Sequence, residues 1–399
     1  MTGVKHRKSS TKPVINLFNG NIACPGQRLR VIILPQPHQR QVLMDKEFMN
    51  QSDSTPWLHK YLPLLLLLVL SNISFAESKV KELAPALKDV PHVELMKVAG
   101  ADLQIRSMGH KDSEVEIILL SGPTDHWHAD SAWFALLQPM LAEQYRIHSV
   151  DRPGVGLSTT AEPRGYGSLA NLMDPLIKNL TRKPVIVVAY ASSNLTVWPW
   201  LKNSNLKSQV KGIVLIDPDV LLPHSINQYK GDAEPFKKNY EAYKEYMAAG
   251  KYNERTRQFI DKEIDEIKTM LKNQDARLMD WQFFHAMMEE RLSVKNQLLK
   301  LDEVANLGAD LDRAKAAGDP TDIPLYVIDT DFESVYINAN PDNTSLPKWQ
   351  AEGTSWFKEL AKNSSGHYLE LKGINHLVPM AAPQSIVDGI KFLNGEAKP

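Results

Sequence analysis

Asp151-Arg-Pro-Gly-Val-Gly-Leu-Ser158 follows directly on an apolar run at 145–150. Gly154 and Gly156 mark a tight turn that needs positive φ or a close backbone approach. The third glycine of a dinucleotide loop is missing, and three strand-like runs already precede this one, so no nucleotide cofactor is expected here. Outward from this turn, short β-branched or apolar runs recur at 93–99, 102–108, 114–120, 184–190, 211–216, 323–329 and 367–371. From the third run onward, each is followed by a helix-length segment. Near-continuous runs such as Val185-Ile-Val-Val188 and Ile213-Val-Leu-Ile216 fit a sheet covered on both faces. The alternation predicts a mostly parallel α/β sheet, and the first two runs, joined by Gly100-Ala101, predict an antiparallel edge hairpin.

Between Ile216 and Ile323 the alternation lapses. Residues from about 233 to 318 are charged and helical in pattern, with Ile260, Ile264, Ile267 and Leu271 at helical spacing, and likewise Tyr240, Tyr243 and Met247. An insertion that enters after a central strand lies at the carboxyl ends of the sheet, where loops gather, so it is expected to form a cap that shapes a pocket.

The first 76 residues differ from the rest. Lys5, Arg7, Lys8, Lys12, Arg28, Arg30 and Arg40 precede the first acid, Asp45. His59-Lys60, an apolar run at 61–70 and Ser74-Phe75-Ala76 have the layout of a secretory signal peptide cut after Ala76. The run falls short of the ~20 apolar residues that span a bilayer. The expected division is a leader at 1–48, a signal peptide at 49–76, core at 77–222, cap at 223–318 and core again at 319–399. The mature chain would then be exported, periplasmic or secreted, with no stable membrane span. Sequencing the native amino terminus should read from Glu77; an intact chain would refute cleavage.

The chain has 399 residues, 43% hydrophobic and 23% charged, with formal net charge -1. That composition is ordinary for a folded α/β protein and excludes wholesale disorder. Residues 1–76 hold nine Lys and Arg against three Asp and Glu, leaving 37 basic and 44 acidic residues beyond them. An acidic remainder argues against nucleic acid as a partner. Cys24 is the sole cysteine, so neither an internal disulfide nor a cysteine zinc site can form.

The quoted octapeptide resembles the Asp-Arg-x-Gly-x-Gly-x-Ser segment that follows the fourth strand in the α/β-hydrolase family. Other landmarks of that family occur in order: Leu120-Ser-Gly-Pro-Thr124 after the third strand, Ile213-Val-Leu-Ile-Asp-Pro218 at the sixth, Gly373-Ile-Asn-His376 after the last, and a closing helix at 380–393. The resemblance covers about residues 93–395 apart from the insertion. It implies an eight-stranded α/β-hydrolase sheet flanked by helices, with a helical cap. It also implies a nucleophile on a strained strand-to-helix turn with small flanking residues.

The matching stretch is Ala189-Tyr-Ala-Ser-Ser193. Aligned by strand length, Ala191 takes the nucleophile position, which then has no nucleophile. A shift by one brings Ser192 to the apex, between the larger Tyr190 and Asn194; Ser193 is the lesser candidate. By the resemblance, His376 is the general base. Glu333 or Asp331, after the seventh strand, would orient it, with Asp217 or Asp219 after the sixth as fallback. Backbone amides near Gly122 and at Ser193 would hold the oxyanion if Ser192 attacks; with Ala191 at the apex the second amide is that of Ser192. Pro123 has no N–H to offer.

Asp125-His-Trp-His-Ala-Asp130 matches most of a His-x-His-x-Asp-His zinc signature, with Ser131 replacing the last histidine. The leading expectation is a serine hydrolase acting on an ester or amide bond of a small, partly apolar substrate, with no cofactor and no metal. The rivals are a non-catalytic ligand-binding member of the same fold and a zinc hydrolase using His126 and His128.

Overall fold

The computed structural model describes residues 86–122, 130–162, 164–271, 276–374 and 376–397, together with a backbone ribbon pairing Gly20–Cys24 with Gln27–Val31. The signal peptide expected at 49–76 lies outside the described residues, as do His126 and His128.

Eight strands form one sheet: β1 (Val93–Val98), β2 (Ala101–Gly109), β3 (Glu116–Ser121), β4 (Arg146–Val150), β5 (Val185–Tyr190), β6 (Val210–Ile216), β7 (Leu325–Thr330) and β8 (His367–Leu371). Their spatial order is β8-β7-β6-β5-β3-β4-β2-β1. The β1–β2 and β2–β4 pairs are antiparallel and the others parallel. The expected edge hairpin closes through Ala99 at φ 48° and Gly100 at φ 92°. Such a turn needs positive φ at both central residues, which glycine adopts freely and alanine only at a cost.

Alternate residues of the central strands feed two cores. Ile118, Leu120, Val187, Ala189, Ile213 and Leu215 enter one, while Ile117, Leu119, Ile186, Val188, Val214 and Ile216 enter the other. With both faces covered, period-two alternation is apolar on each side, and the strands read as continuous runs.

The octapeptide at 151–158 joins three parts of the fold. Gly154 and Gly156 have φ of 91° and 53°, and a Cβ on Gly156 would lie 2.6 Å from Gln104 Oε1. Gln104 of β2 takes the Leu157 amide on its side-chain oxygen and gives its own amide to Ser158 Oγ. Arg152 is buried; its Nε donates to Asp130 at 2.7 Å and another nitrogen to Glu303. A buried guanidinium is tolerable only with such partners; breaking a pair of this kind costs about 3–5 kcal/mol.

Core helices α1 (Leu137–Ala142), α2 (Tyr166–Leu180) and α3 (Asn194–Asn203) precede the insertion, to which Glu303 belongs and which contains α4 (Pro223–Lys238), α5 (Tyr240–Ala248), α6 (Asn253–Met270), α7 (Trp281–Glu290) and α8 (Val294–Ala317). Helix begins ten residues earlier than the sequence pattern suggests. Pro223 stands at the helix start, where its missing N–H costs nothing. Ile226, Tyr229, Ala233 and Phe236 bury one face of α4 through a polar stretch. The α8 helix packs on α4 and on the core helices at Tyr166–Leu180 and Asn194–Asn203. The expected closing helix is two pieces, Val378–Ala381 and Pro383–Asn394, because Pro383 starts a new helix.

Candidate active site

Strand β5 ends at Tyr190, and a turn at Ala191–Ser193 leads into the helix Asn194–Asn203. Ala191 has φ 53°, the left-handed backbone of an apex residue, and Ser192 and Ser193 return to helical geometry. The positive φ of this turn therefore falls on Ala191 and not on Ser192. Gly122 backs this turn closely: a Cβ there would lie 2.8 Å from the amide nitrogens of both Ser192 and Ser193. Amides in the first turn of a helix have no intrahelical acceptor, so they are suited to an anionic oxygen.

The expectation that Gly122 itself donates to the oxyanion is corrected. Its N–H bonds the Tyr190 carbonyl at 3.0 Å, continuing the β3–β5 pairing. Gly122 instead supplies the space that lets the loop close on the elbow. The amides that follow Ala191 in this turn are those of Ser192 and Ser193, and Ser193 Oγ is buried without a partner among the described residues.

His376 is 7% exposed and its Nδ1 lies 2.8 Å from Asp217 Oδ2. Asp217 follows β6 with φ 43°. Its other bonds come from the Thr330 amide at 2.7 Å and the Thr330 hydroxyl at 2.8 Å. Thr330 is the last residue of β7, so the end of the neighbouring strand fixes the carboxylate. The imidazole sits between two rings: the Phe332 centroid is 4.6 Å away and the Tyr190 centroid 5.3 Å away. Tyr190 Oη also donates to the His376 carbonyl at 3.0 Å. One nitrogen is thus committed to Asp217, and Nε2 bonds no described residue.

The acid expected from the seventh strand is corrected on the same geometry. Asp331 accepts the Gly373 amide at 2.6 Å and so fixes the turn after β8. Glu333 is buried at the start of a short helix, Glu333–Ala339, with Oε2 unpartnered among the described residues. Burial, and then the charge on Asp217, hold its carboxyl well above the usual range. The β7 loop presents Phe332 to the histidine, and β6 supplies the carboxylate that was the fallback.

Asp219, two residues beyond Asp217, was the other fallback and has a different place. Its backbone is paired with the Asn194 side chain, by Asn194 Nδ2 to the Asp219 carbonyl at 2.9 Å and the Asp219 amide to Asn194 Oδ1 at 3.2 Å. Burial raises this carboxyl to about 7, against the nearby Ser192 hydroxyl and His376. Tyr166 Oη is buried without a partner among the described residues: burial raises it, the Arg152 guanidinium over its ring opposes, and the charges on Glu303 and Asp219 add to the rise. Tyr166, Tyr190 and Phe332 carry no motif, so no sequence signal marks them.

In the zinc-like motif, Asp130 is fully buried on Arg152, and Ser131 donates to Asp151. The carboxylate of that motif is therefore engaged in the ion pair. No metal-binding cluster of histidines, cysteines and carboxylates occurs among the described residues.

Asp151 and Asp329 are also raised to about 7, each chiefly by burial, as is Asp219. Each binds its proton more tightly folded than unfolded, so stability from these groups is full below the ordinary carboxylate range and falls as pH rises towards 7. The unfolding midpoint should be higher at pH 5.5 than at pH 8, and Asp219→Asn should flatten that slope. An equal slope in the variant would refute the assignment.

The fold and the site define a hydrolase scaffold with a histidine–carboxylate pair at the carboxyl ends of its strands. The chain belongs to the alpha/beta hydrolase family, whose family model matches residues 117–388. No curated protein matches it by sequence. Among solved structures it is similar to the Cif epoxide hydrolase from Acinetobacter nosocomialis, at 13% identity and TM-score 0.54 over 78% of this chain and 94% of that one. An epoxide hydrolase from Vigna radiata gives 16% identity and TM-score 0.52 over 78% of this chain and 100% of that one. A putative epoxide hydrolase mutant from Pseudomonas aeruginosa gives 17% and 0.51 over 77% and 98%. At these identities the likeness establishes the fold. No helix among the described residues is long and apolar enough to cross a membrane.

Proposed function

We propose that this chain hydrolyses an ester or amide bond of a small, partly apolar substrate, with a water molecule as the nucleophile. The observation that carries this reading is the buried His376–Asp217 pair beside an elbow whose apex is Ala191. His376 Nε2 takes a proton from water as its oxygen attacks the carbonyl carbon. Asp217 holds the ring and stabilises the imidazolium. The elbow amide of Ser192 holds the oxyanion, and collapse of the intermediate returns the proton from His376 to the leaving alcohol or amine.

A second reading keeps the acyl-enzyme, with Ser192 as nucleophile. It is favoured by the nearness of Ser192 to Asp219, a buried carboxylate raised to about 7 that can accept a proton. The two differ in what is left on the protein. With a panel of short-chain esters, the water mechanism gives turnover that His376→Ala abolishes, no covalent adduct on rapid quenching, and no fluorophosphonate label. An adduct on Ser192 would establish the second reading. Ligand binding without turnover by folded protein would overturn both and leave a binding protein. Export to a periplasmic or extracellular setting is part of the proposal and rests on the leader sequence.

A further inference from the structure

At the opposite end of the sheet, the amino ends of β3 and β4 border a cavity of about 480 Å³. Strands of five or six residues at ~3.3 Å per residue separate it from His376 by most of the sheet's height. Its lining includes Lys111, Arg146, Lys178, Arg182 and Lys183. Glu116 is the single carboxylate among the lining residues. That charge is already engaged. His148 Nε2 lies 2.8 Å from Glu116 Oε2, while its Nδ1 meets Ser107 Oγ at 2.9 Å. Lys183 gives its ammonium to the carbonyls of Lys111 and Ser113, at 2.6 and 2.8 Å.

Lys111, Arg146, Lys178 and Arg182 remain, and none of the four makes an ion pair with a described residue. Four like charges around one concavity repel one another, and the floor at Glu116, His148 and Thr181 is buried. A patch of solvated surface lysines would have no such floor. Guanidinium forks and ammonium groups that line one cavity match an anion with several oxygens and three or four charges.

We propose that this cavity is a second binding site, for a small soluble polyphosphate such as a diphosphate or the phosphate arm of a nucleotide. The site is independent of the hydrolytic reading, since it shares no residue with the elbow or the histidine–carboxylate pair. Inorganic pyrophosphate titrated into the full chain by calorimetry is the test. Saturable one-to-one binding is expected. Lys178→Gln with Arg182→Gln, both exposed, should weaken it about tenfold or more, and Arg146→Gln should weaken it further. His376→Ala should leave it unchanged. Heat that does not saturate, or equal affinity in the double variant, would overturn the proposal. So would binding to vesicles containing phosphatidylserine with none to pyrophosphate, because that identifies a lipid surface.

Discussion

Replacing Ala191 with serine is expected to turn a protein that does not react with fluorophosphonates into one that is labelled stoichiometrically at position 191. The backbone there already has φ 53°, so the substitution requires no new conformation. Alanine and serine differ by one oxygen, and the substitution places a hydroxyl on the residue of positive φ. On the proposed reading His376 activates that hydroxyl: its Nδ1 is held by Asp217 and its Nε2 bonds no described residue. Ester turnover in the variant should begin with a burst equal to the enzyme concentration, and a quenched sample should carry the acyl mass on the peptide containing position 191. Labelling at Ser192 in both proteins would show that Ala191 is not the functional apex. Absence of label in a folded variant would show that the oxyanion position is not formed.

Asp217→Asn is expected to lower kcat/KM by about 10³–10⁴, which is ~4–5.5 kcal/mol of transition-state stabilisation. The asparagine would still fill the space, but its amide cannot stabilise the imidazolium. The tautomer that places a proton on Nδ1 loses its charged acceptor. Asp331→Asn and Glu333→Gln are the controls: Asp331 holds the Gly373 amide and Glu333 bonds no imidazole, so both should stay within about threefold of the parent. A large loss in Glu333→Gln with Asp217→Asn unaffected would return the acid to the seventh strand. Thermal midpoints must accompany the rates, since Asp217 also accepts the amide and hydroxyl of Thr330.

The α/β sheet was legible because its evidence is local. Runs such as Ile213-Val-Leu-Ile216, the glycines of the octapeptide and the lapse at the insertion are statements about neighbours in sequence. The turn after β5 was legible for the same reason: strand length sets where it must fall, and its positive φ falls on Ala191. His376 was found by its place after the last strand and before the closing helix.

The carboxylate was not legible. Asp217, Asp219, Asp331 and Glu333 all follow strands, and each suits the role on sequence alone. The choice depends on where Thr330 gives its amide, on Phe332 lying against the imidazole, and on Asp331 turning towards Gly373. These contacts span loops from different strands. The same holds for Gly122, read from the sequence as a donor and found committed to Tyr190. The cationic cavity gathers side chains from residue 111 to residue 183, which no periodicity connects.

By itself the sequence determined the order of strands and helices and where the turn after β5 falls. Hydrophobic period and turn chemistry act over a few residues, and they suffice for this. Only the tertiary structure decided which acid meets His376 and that five cations line one cleft. Hydrogen bonds and charges act over a few ångströms in space, whatever the separation along the chain.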